Sequence, residues 1–251
     1  MEDHSLTVTQ NTFLSGRLWL MKLKAPQLVH RIKGGHFLML EVSSTYDPMG
    51  RRAFAVGDVR NDELLIFYDV VGRGTGLMSQ MREGDEVRVF APLGKRLFDY
   101  EGNKHLLIGG GVGLAGLSLY GKELRDMGKE VVFVYGARSA EHLGMSDWLK
   151  EEGFDFILFT DDGSAGRKGL VTEVLREFGK DWRVSACGPK PMLKALRNLS
   201  QETGHEVFLS LEERMACGWG VCLGCVVKDP EGGYRRVCYE GPVFNAREVI
   251  F

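Results

Sequence analysis

Four of the chain's five cysteines lie within 22 residues, and no other feature of the sequence constrains the fold as strongly. They are Cys217, Cys222, Cys225 and Cys238, in the spacing C-x4-C-x2-C-x12-C. Four thiolates match the ligand count of a protein metal centre. Glycines lie between them, and glycine tolerates positive φ angles and close approach of the backbone. The sequence therefore predicts a tight loop folded around a metal centre.

Three structures remain possible for this loop. The ligand order C-x4-C-x2-C followed by a distant cysteine is that of plant-type [2Fe–2S] ferredoxins, and it favours an iron–sulfur cluster. A structural zinc site usually has two short cysteine pairs, whereas here three cysteines crowd one end. A disulfide framework is the third alternative. The gap to Cys238 is shorter than ferredoxins usually have, so the surrounding fold need not be that of a ferredoxin.

Composition and charge exclude several classes of protein. The net charge of −2 gives no electrostatic basis for binding nucleic acid. The first residues, Met1 to Ser5, include two acids and no apolar core, so we expect no signal peptide. No run of 18 apolar residues occurs, so we expect no membrane span. Clustered cysteines without an export signal indicate the reducing cytoplasm.

Two patterns of secondary structure divide the chain before the cysteines. Residues 6 to about 98 form short apolar runs separated by turns, with room for one short helix at 76–81, and this pattern predicts an antiparallel β-barrel. From His105 onward, apolar strands alternate with helices predicted at 117–127, 141–150, 171–178 and 191–203, which is typical of a parallel α/β sheet. We predict a multidomain β plus α/β protein: a barrel at 1–100, a nucleotide-binding α/β domain at 101–205 and a small cluster domain at 206–251.

A glycine run joins the first strand of the α/β part to its first helix. Within it, Gly111, Gly113 and Gly116 satisfy G-x-G-x-x-G. Such a turn brings backbone N–H groups to a diphosphate, although a turn used only for packing is the alternative. The acid expected about 20 residues later is missing and Arg138 follows the next strand, so the choice between NAD and NADP stays open.

Three further stretches carry polar or reactive groups at predicted turns. Arg52 lies on a strand of the β-rich part, and Gly74 and Thr75 lie in a later turn. An arginine, backbone N–H groups and a hydroxyl can together bind a phosphate group. Surface turns without a ligand are the simpler interpretation of these residues. Cys187, Gly188 and Pro189 follow the last predicted strand, where ligands of α/β sheets gather. By itself, Cys187 is best interpreted as a small buried apolar residue.

Taken in order along the chain, these motifs resemble the ferredoxin–NADP reductase superfamily, and more closely the electron-transfer subunits of dihydroorotate dehydrogenase B. The similarity lies in Leu211 to Gly220, in Cys222-x-x-Cys225, in Cys238 to Phe244, in Val71 to Thr75 and in Ala91 to Gly94. It covers essentially the whole chain. The chain departs from the pattern where Ala53 and Ala55 replace the usual Pro and Ser.

The resemblance implies three cofactor sites. It implies FAD at residues of the β-rich part: Arg52, Ala53, Phe54, Ala55, Phe67, Tyr68, Asp69, Gly74 and Thr75. It implies a nicotinamide nucleotide, NAD(P), as exchangeable substrate at residues of the α/β part: Gly109, Gly110, Gly111, Gly113, Cys187, Gly188 and Pro189. It implies a [2Fe–2S] cluster on Cys217, Cys222, Cys225 and Cys238.

The activity that the resemblance implies is electron transfer by an oxidoreductase subunit. An FMN-containing catalytic partner, in a heterotetramer, would oxidise dihydroorotate to orotate in pyrimidine biosynthesis, and electrons would pass through the cluster and FAD to NAD. No catalytic base for that oxidation is visible in this chain. Small subunits of NAD(P)-linked ferredoxin oxidoreductases and of sulfhydrogenases are alternatives within the same architecture. A non-catalytic interaction module with structural zinc is an alternative of another class.

Overall fold

The computed structural model describes residues 1–43, 45 and 47–251. Its N-terminal part is one antiparallel sheet in the order β4-β3-β7-β1-β2-β6-β5. The strands are β1 (Glu2–Ser15), β2 (Leu18–Lys24), β3 (Phe37–Glu41), β4 (Arg51–Ala55), β5 (Asp58–Arg60), β6 (Glu63–Asp69) and β7 (Glu86–Leu93). The short helix predicted at 76–81 begins three residues earlier, as α1 (Arg73–Met78), between β6 and β7.

Hydrogen bonding between the described strands does not close this sheet, so the predicted barrel is open. In the described part of the chain no ladder joins the outer strands β4 and β5. The sheet nevertheless folds back on itself, since the ring of Phe54 on β4 lies edge-on to Tyr68 on β6, with centroids 6.0 Å apart. Alternate residues of its strands, such as Leu38 and Leu40, fill an apolar interior.

The central part is the predicted parallel α/β sheet. Its parallel strands lie in the order β11-β10-β9-β8-β12-β13. They are β8 (Lys104–Gly110), β9 (Glu130–Ala137), β10 (Asp155–Thr160), β11 (Arg167–Lys168), β12 (Trp182–Cys187) and β13 (Val207–Ser210). The connecting helices are α2 (Ala115–Asp126), α3 (Ser146–Glu151) and α4 (Lys190–Thr203). Strands β8 to β10 and β12 end at the same edge, which is where a ligand cleft is expected.

Two of the helices predicted for the central part differ from the structure. Residues Val171–Glu177 form a 3-10 helix, not an α-helix, and bury Val171 and Val174 at a spacing of three. The helix predicted at 141–150 is split into a 3-10 turn at Ala140–His142 and α3. Gly144 lies between them, so close to the N-terminal sheet that an added Cβ would meet Ser15 Oγ at 2.5 Å.

The C-terminal segment carries the cysteines and returns to the central sheet. It contains the hairpin β14 (Val226–Lys228) and β15 (Tyr234–Arg236), then α5 (Val237–Glu240) and β16 (Val243–Asn245). Strand β16 pairs antiparallel with β13 and becomes the edge of the central sheet. Both strands lie beyond residue 205, so the cluster segment is built onto the α/β part. The division at residues 100 and 205 stays a prediction.

The N-terminal and central parts share a polar interface. Asp58 on β5 is fully buried, and it accepts hydrogen bonds from Lys122 Nζ of α2 at 2.8 and 3.0 Å. Arg60 Nη2 donates to Glu152 at 2.7 Å. This network fixes the sheet beside α2. Nowhere in the described chain does a helix have both the length and the apolar character needed to cross a lipid bilayer.

Candidate functional site

A cleft of about 810 Å³ lies between the N-terminal sheet and the end of the parallel sheet. We call it the first cleft. Its wall includes eight of the nine residues predicted for flavin: Arg52, Ala53, Phe54, Ala55, Phe67, Tyr68, Asp69 and Thr75. Gly74 lies behind the wall, where an added Cβ would be 3.0 Å from Nε of Arg52. Residues that are distant in the sequence thus meet in one concave surface.

The polar groups of this cleft are held in place by backbone contacts. Arg52 Nη1 donates to the carbonyl oxygens of Met49 and Gly50, at 3.3 and 3.1 Å. Thr75 Oγ1 accepts from the N–H groups of Val71 and Gly72, at 3.0 and 3.2 Å. An arginine fork and an ordered glycine turn at one end of an apolar cleft fit a ligand with a diphosphate and a flat ring system.

A second cleft, of about 620 Å³, lies at the carboxyl edge of the parallel sheet. Its wall includes five of the predicted nucleotide residues: Gly110, Gly111, Gly113, Gly188 and Pro189. The other two lie elsewhere. Cys187 is on the wall of the first cleft, and Gly109 is buried at the end of β8, where an added Cβ would be 2.5 Å from Leu114 Cδ1.

The glycines of the loop have different structural roles. Gly111 has φ of +55°, and an added Cβ would meet nothing within 4 Å. Gly113 has no room for a side chain, since an added Cβ would lie 2.6 Å from the carbonyl oxygen of Cys187. Gly113 therefore allows the loop to pack against the end of β12, and Gly111 allows the turn itself.

The two clefts share one wall, which the sequence analysis did not predict. Four residues line both clefts: Asp69, Val112, Lys190 and Glu212. Glu212 lies at the junction of the two clefts, where it is exposed to both. Cys187 donates to Glu212 Oε1 at 3.8 Å, and burial followed by the Glu212 charge raises the pKa of the thiol well above its usual value. The burial agrees with the interpretation of Cys187 as a small buried apolar residue.

The segment before the cysteines leads from the first cleft to the cysteine loop. Its residues 210–215 line the first cleft, and Met215 is two residues before Cys217. The sequence indicates this position of residues 210–215 only in that they connect β13 directly to the first cysteine. The loop packs against the N-terminal sheet at Gly218, where an added Cβ would be 2.7 Å from Met39 Sδ.

The cysteine loop orients backbone N–H groups toward its sulfur atoms. The N–H of Trp219 donates to Cys217 Sγ at 3.3 Å, and the N–H of Gly224 donates to Cys222 Sγ at 3.4 Å. Positive φ angles make this possible at Gly218, at Gly220 and, unusually, at Leu223. Sulfur atoms that accept N–H hydrogen bonds are typical ligands of iron–sulfur clusters.

The four thiols are free, and Cys217 interacts with Cys222 and Cys238 with Cys225. Burial alone would raise the pKa of Cys217, but hydrogen bonds from the backbone and side chain of Cys222 and from neighbouring amides lower it to about 6. Burial, together with the hydrogen bond and charge of Cys225, raises the pKa of Cys238 to about 12. Across the described residues no three ligating side chains converge on a single ion.

Comparison with known proteins gives a consistent result along the whole chain. Residues 212–250 match the iron–sulfur cluster binding domain of dihydroorotate dehydrogenase B. A protein of Aquifex aeolicus named "Dihydroorotate dehydrogenase B (NAD(+)), electron transfer subunit homolog" is 60% identical, over 97% of this chain and 96% of its own length. The electron transfer subunit of this enzyme from Bacillus velezensis is 40% identical, over 99% of both chains.

Two solved structures show the same fold. A chain from a study of the NADH-dependent reduced ferredoxin-NADP oxidoreductase superimposes with a TM-score of 0.86 and 29% identity, over 98% of this chain and 89% of that one. A ferredoxin NADP+ reductase from Neisseria gonorrhoeae superimposes with a TM-score of 0.68 and 18% identity, over 81% and 92% of the two chains. The second similarity concerns the fold alone.

Proposed function

This chain belongs to the family of dihydroorotate dehydrogenase B electron transfer subunits, and from that membership we propose how its clefts and cysteine loop are used. It passes electrons between an FMN-containing catalytic subunit, which oxidises dihydroorotate to orotate in pyrimidine biosynthesis, and NAD+. The complex is a heterotetramer in the cytoplasm. The substrate is oxidised on the partner, and this chain binds and positions the cofactors.

Each cofactor has a proposed place in the structure. The first cleft holds FAD, with Arg52 and the Gly74–Thr75 turn at its diphosphate. The second cleft holds the nicotinamide nucleotide over Gly110 to Gly113. The four cysteines hold the [2Fe–2S] cluster. When bound, FAD exchanges a hydride with nicotinamide and single electrons with an iron–sulfur cluster, which is why it belongs between them.

The observation that carries this proposal is the intermediate position of the first cleft. Glu212 lines both clefts, so a flavin in the first cleft would lie beside a nucleotide in the second. Met215 lines the same cleft two residues before Cys217. The order of sites is therefore nucleotide, flavin and cluster. Ala55 lacks the hydroxyl of the serine that is usual in the family, which would remove one hydrogen bond to the flavin, worth roughly 0.5–1.5 kcal/mol.

The proposed partner surface surrounds the cysteine loop. Trp219, Val221 and Leu223 expose 52%, 78% and 60% of their surface, although all three are large and apolar. Exposed apolar side chains that cluster on one loop mark an interaction site. Cys222 is exposed on the same loop, so a partner bound here would reach the cluster from outside. We refer to Trp219, Val221 and Leu223 as the apolar rim.

The experiment that tests the proposal uses the chain alone and the chain co-produced with a dihydroorotate dehydrogenase catalytic subunit. The chain should bind one FAD and two irons, with flavin and cluster absorption under anaerobic conditions. Only the complex should reduce NAD+ with dihydroorotate. Zinc without flavin, or a complete failure to associate, would contradict the proposal. The fold would then serve another function.

A second function is favoured by one specific observation. The chain from the ferredoxin-NADP oxidoreductase study superimposes over 98% of this chain at 29% identity. A small subunit that exchanges electrons with ferredoxin would use the same clefts and cluster. Reduction of ferredoxin by NADH, without any need for the dihydroorotate-oxidising subunit, would favour this second function.

A further inference from the structure

We infer that Arg236 and Glu240 tune the potential of the proposed cluster through the peptide that joins Gly220 to Val221. The inference rests on the proposed function, because it requires that the four cysteines hold a [2Fe–2S] cluster. It concerns two side chains that are neither ligands nor part of either cleft. Both lie next to the segment that carries Cys238.

Arg236 joins the two halves of the cysteine site. Its Nη1 donates to the carbonyl oxygen of Gly220 at 2.8 Å, in the loop between Cys217 and Cys222. Its Nε donates to both carboxylate oxygens of Glu240 at 3.0 Å, and Nη2 donates to the same group. Glu240 also accepts from the N–H of Arg236 at 2.6 Å. Strand β15 and helix α5 are thus fixed to the cysteine loop through one guanidinium group.

The peptide that Arg236 holds by its oxygen lies in the loop between Cys217 and Cys222. It is planar and trans, so the N–H of Val221 points away from the Gly220 oxygen and from Arg236. In the same loop the N–H of Trp219 donates to Cys217 Sγ at 3.3 Å. A positive charge on a carbonyl oxygen polarises the peptide and strengthens the hydrogen bond that its N–H donates. Hydrogen bonds to the sulfur atoms and nearby charge both set the potential of a cluster.

The local packing leaves little freedom for this arrangement. Gly220 has φ of +80°, and an added Cβ would lie 2.8 Å from Tyr239 Cβ. The guanidinium carbon of Arg236 lies 4.7 Å from the centroid of the Tyr239 ring, and Lys95 Nζ lies 3.5 Å from it. The Gly220 carbonyl is therefore presented to Arg236 by a fixed backbone.

The two members of the pair act on the cluster with opposite signs. Reduction adds one electron and hence one negative charge to the cluster. Positive charge nearby stabilises the reduced form, and negative charge destabilises it. Without Arg236, the peptide loses its polarising charge and Glu240 is left uncompensated. Without the Glu240 charge, Arg236 is left uncompensated. A purely structural clamp would not give shifts of opposite sign.

The test is an anaerobic redox titration of the holo chain, followed by the EPR signal of the reduced cluster. We expect R236Q to lower the midpoint potential of the cluster and E240Q to raise it. Each variant should change the electron-transfer equilibrium constant at least threefold, which is about 28 mV for a one-electron couple. R236K should fall between R236Q and the native chain. The control is R235Q, on the adjacent residue, whose guanidinium pairs with Asp229 at 3.4 Å and not with the Gly220 carbonyl. It removes the same charge without the peptide contact, so it should lower the potential less than R236Q does.

Each outcome decides between alternatives. Opposite shifts in R236Q and E240Q support the inference. Unchanged potentials, or shifts of the same sign, overturn it. If R236Q no longer holds iron, E240Q decides alone: a raised potential supports the inference and an unchanged one overturns it. If the native chain itself shows no [2Fe–2S] signal, the proposed function fails before the pair is tested.

Discussion

Trp219 stacks on Phe90, with ring centroids 4.8 Å apart and ring planes inclined by 27°. Phe90 lies on β7 of the N-terminal sheet, so the contact ties the cysteine loop to the flavin-binding part proposed above. The other face of the indole remains open, since 52% of the residue is exposed. Trp219 therefore both covers the loop and offers an apolar surface to a partner.

Substitution of Trp219 should separate these two roles. W219A removes the stacked pair and its buried area, and it should lower the free energy of unfolding by about 1–3 kcal/mol. W219F keeps a ring on Phe90 but offers less exposed area, so it should retain most of that stability. Both variants should bind the catalytic subunit more weakly, as measured by calorimetric titration. Unchanged affinity in both would restrict Trp219 to covering the cluster.

Leu223 gives a second test, because its backbone is strained. It has φ of +57°, a conformation that costs a non-glycine residue about 1–2 kcal/mol. L223G should relieve the strain and, after the entropic cost of glycine in the unfolded chain, raise the stability by up to about 1 kcal/mol. The same variant removes an apolar-rim side chain and should weaken the complex. A more stable chain that binds its partner less tightly is the expected result.

The matched control for Leu223 is Asn61, the other non-glycine residue with positive φ among the described residues. Asn61 has φ of +53° and lies in the exposed β5–β6 turn, and asparagine tolerates this conformation well. N61G should change thermal stability little and leave the affinity for the partner at the native value. A loss of affinity in N61G would show that the apolar rim is not the cause.

The sequence predicted the parts of this site that are local in the chain. Cysteine spacing, the glycine turn after β8 and the strand that carries Arg52 are each set by neighbouring residues. The junction at Glu212 could not be predicted, because it needs β13 beside β12 and the N-terminal sheet opposite both. The pairing of β13 with β16 likewise joins residues 208 and 245. Such long-range pairings depend on tertiary packing, which periodicity does not encode.

The glycine loop provides a contrast between packing and backbone conformation. G113A would place a Cβ 2.6 Å from the Cys187 carbonyl oxygen, so the loop must move away from β12. We expect a loss of at least about 2 kcal/mol in stability and a large loss of NADH affinity. The Cβ of G111A meets no atom, so this variant costs only what an alanine needs to adopt φ of +55°, about 1–2 kcal/mol, and should keep most of the NADH affinity. Thermal melts and fluorescence titration with NADH measure both effects; equal effects would contradict this assignment of roles.

His36 predicts how the stability depends on pH. Burial, with a smaller contribution from the Lys33 charge, lowers its pKa from 6.5 to about 4. Its Nδ1 accepts from the N–H of Lys33 at 2.9 Å, so the folded state holds the neutral ring. Between pH 6.5 and about 4 the unfolded chain binds a proton that the folded chain does not. The free energy of unfolding should therefore fall as the pH decreases through this window, by up to about 3 kcal/mol.

The variant H36N isolates this contribution, because asparagine can accept the same hydrogen bond and does not titrate. Urea unfolding of the native chain and of H36N, at pH 7.5, 6.5, 5.5 and 4.5 (roughly the window that the histidine pKa defines), gives the two slopes. As the pH falls, the free energy of unfolding should decrease more for the native chain than for H36N. Above about pH 7.5 the difference between the two free energies should be constant. Parallel curves across the whole range would show that the pKa of His36 is the same in the folded and unfolded chains, which would contradict this prediction.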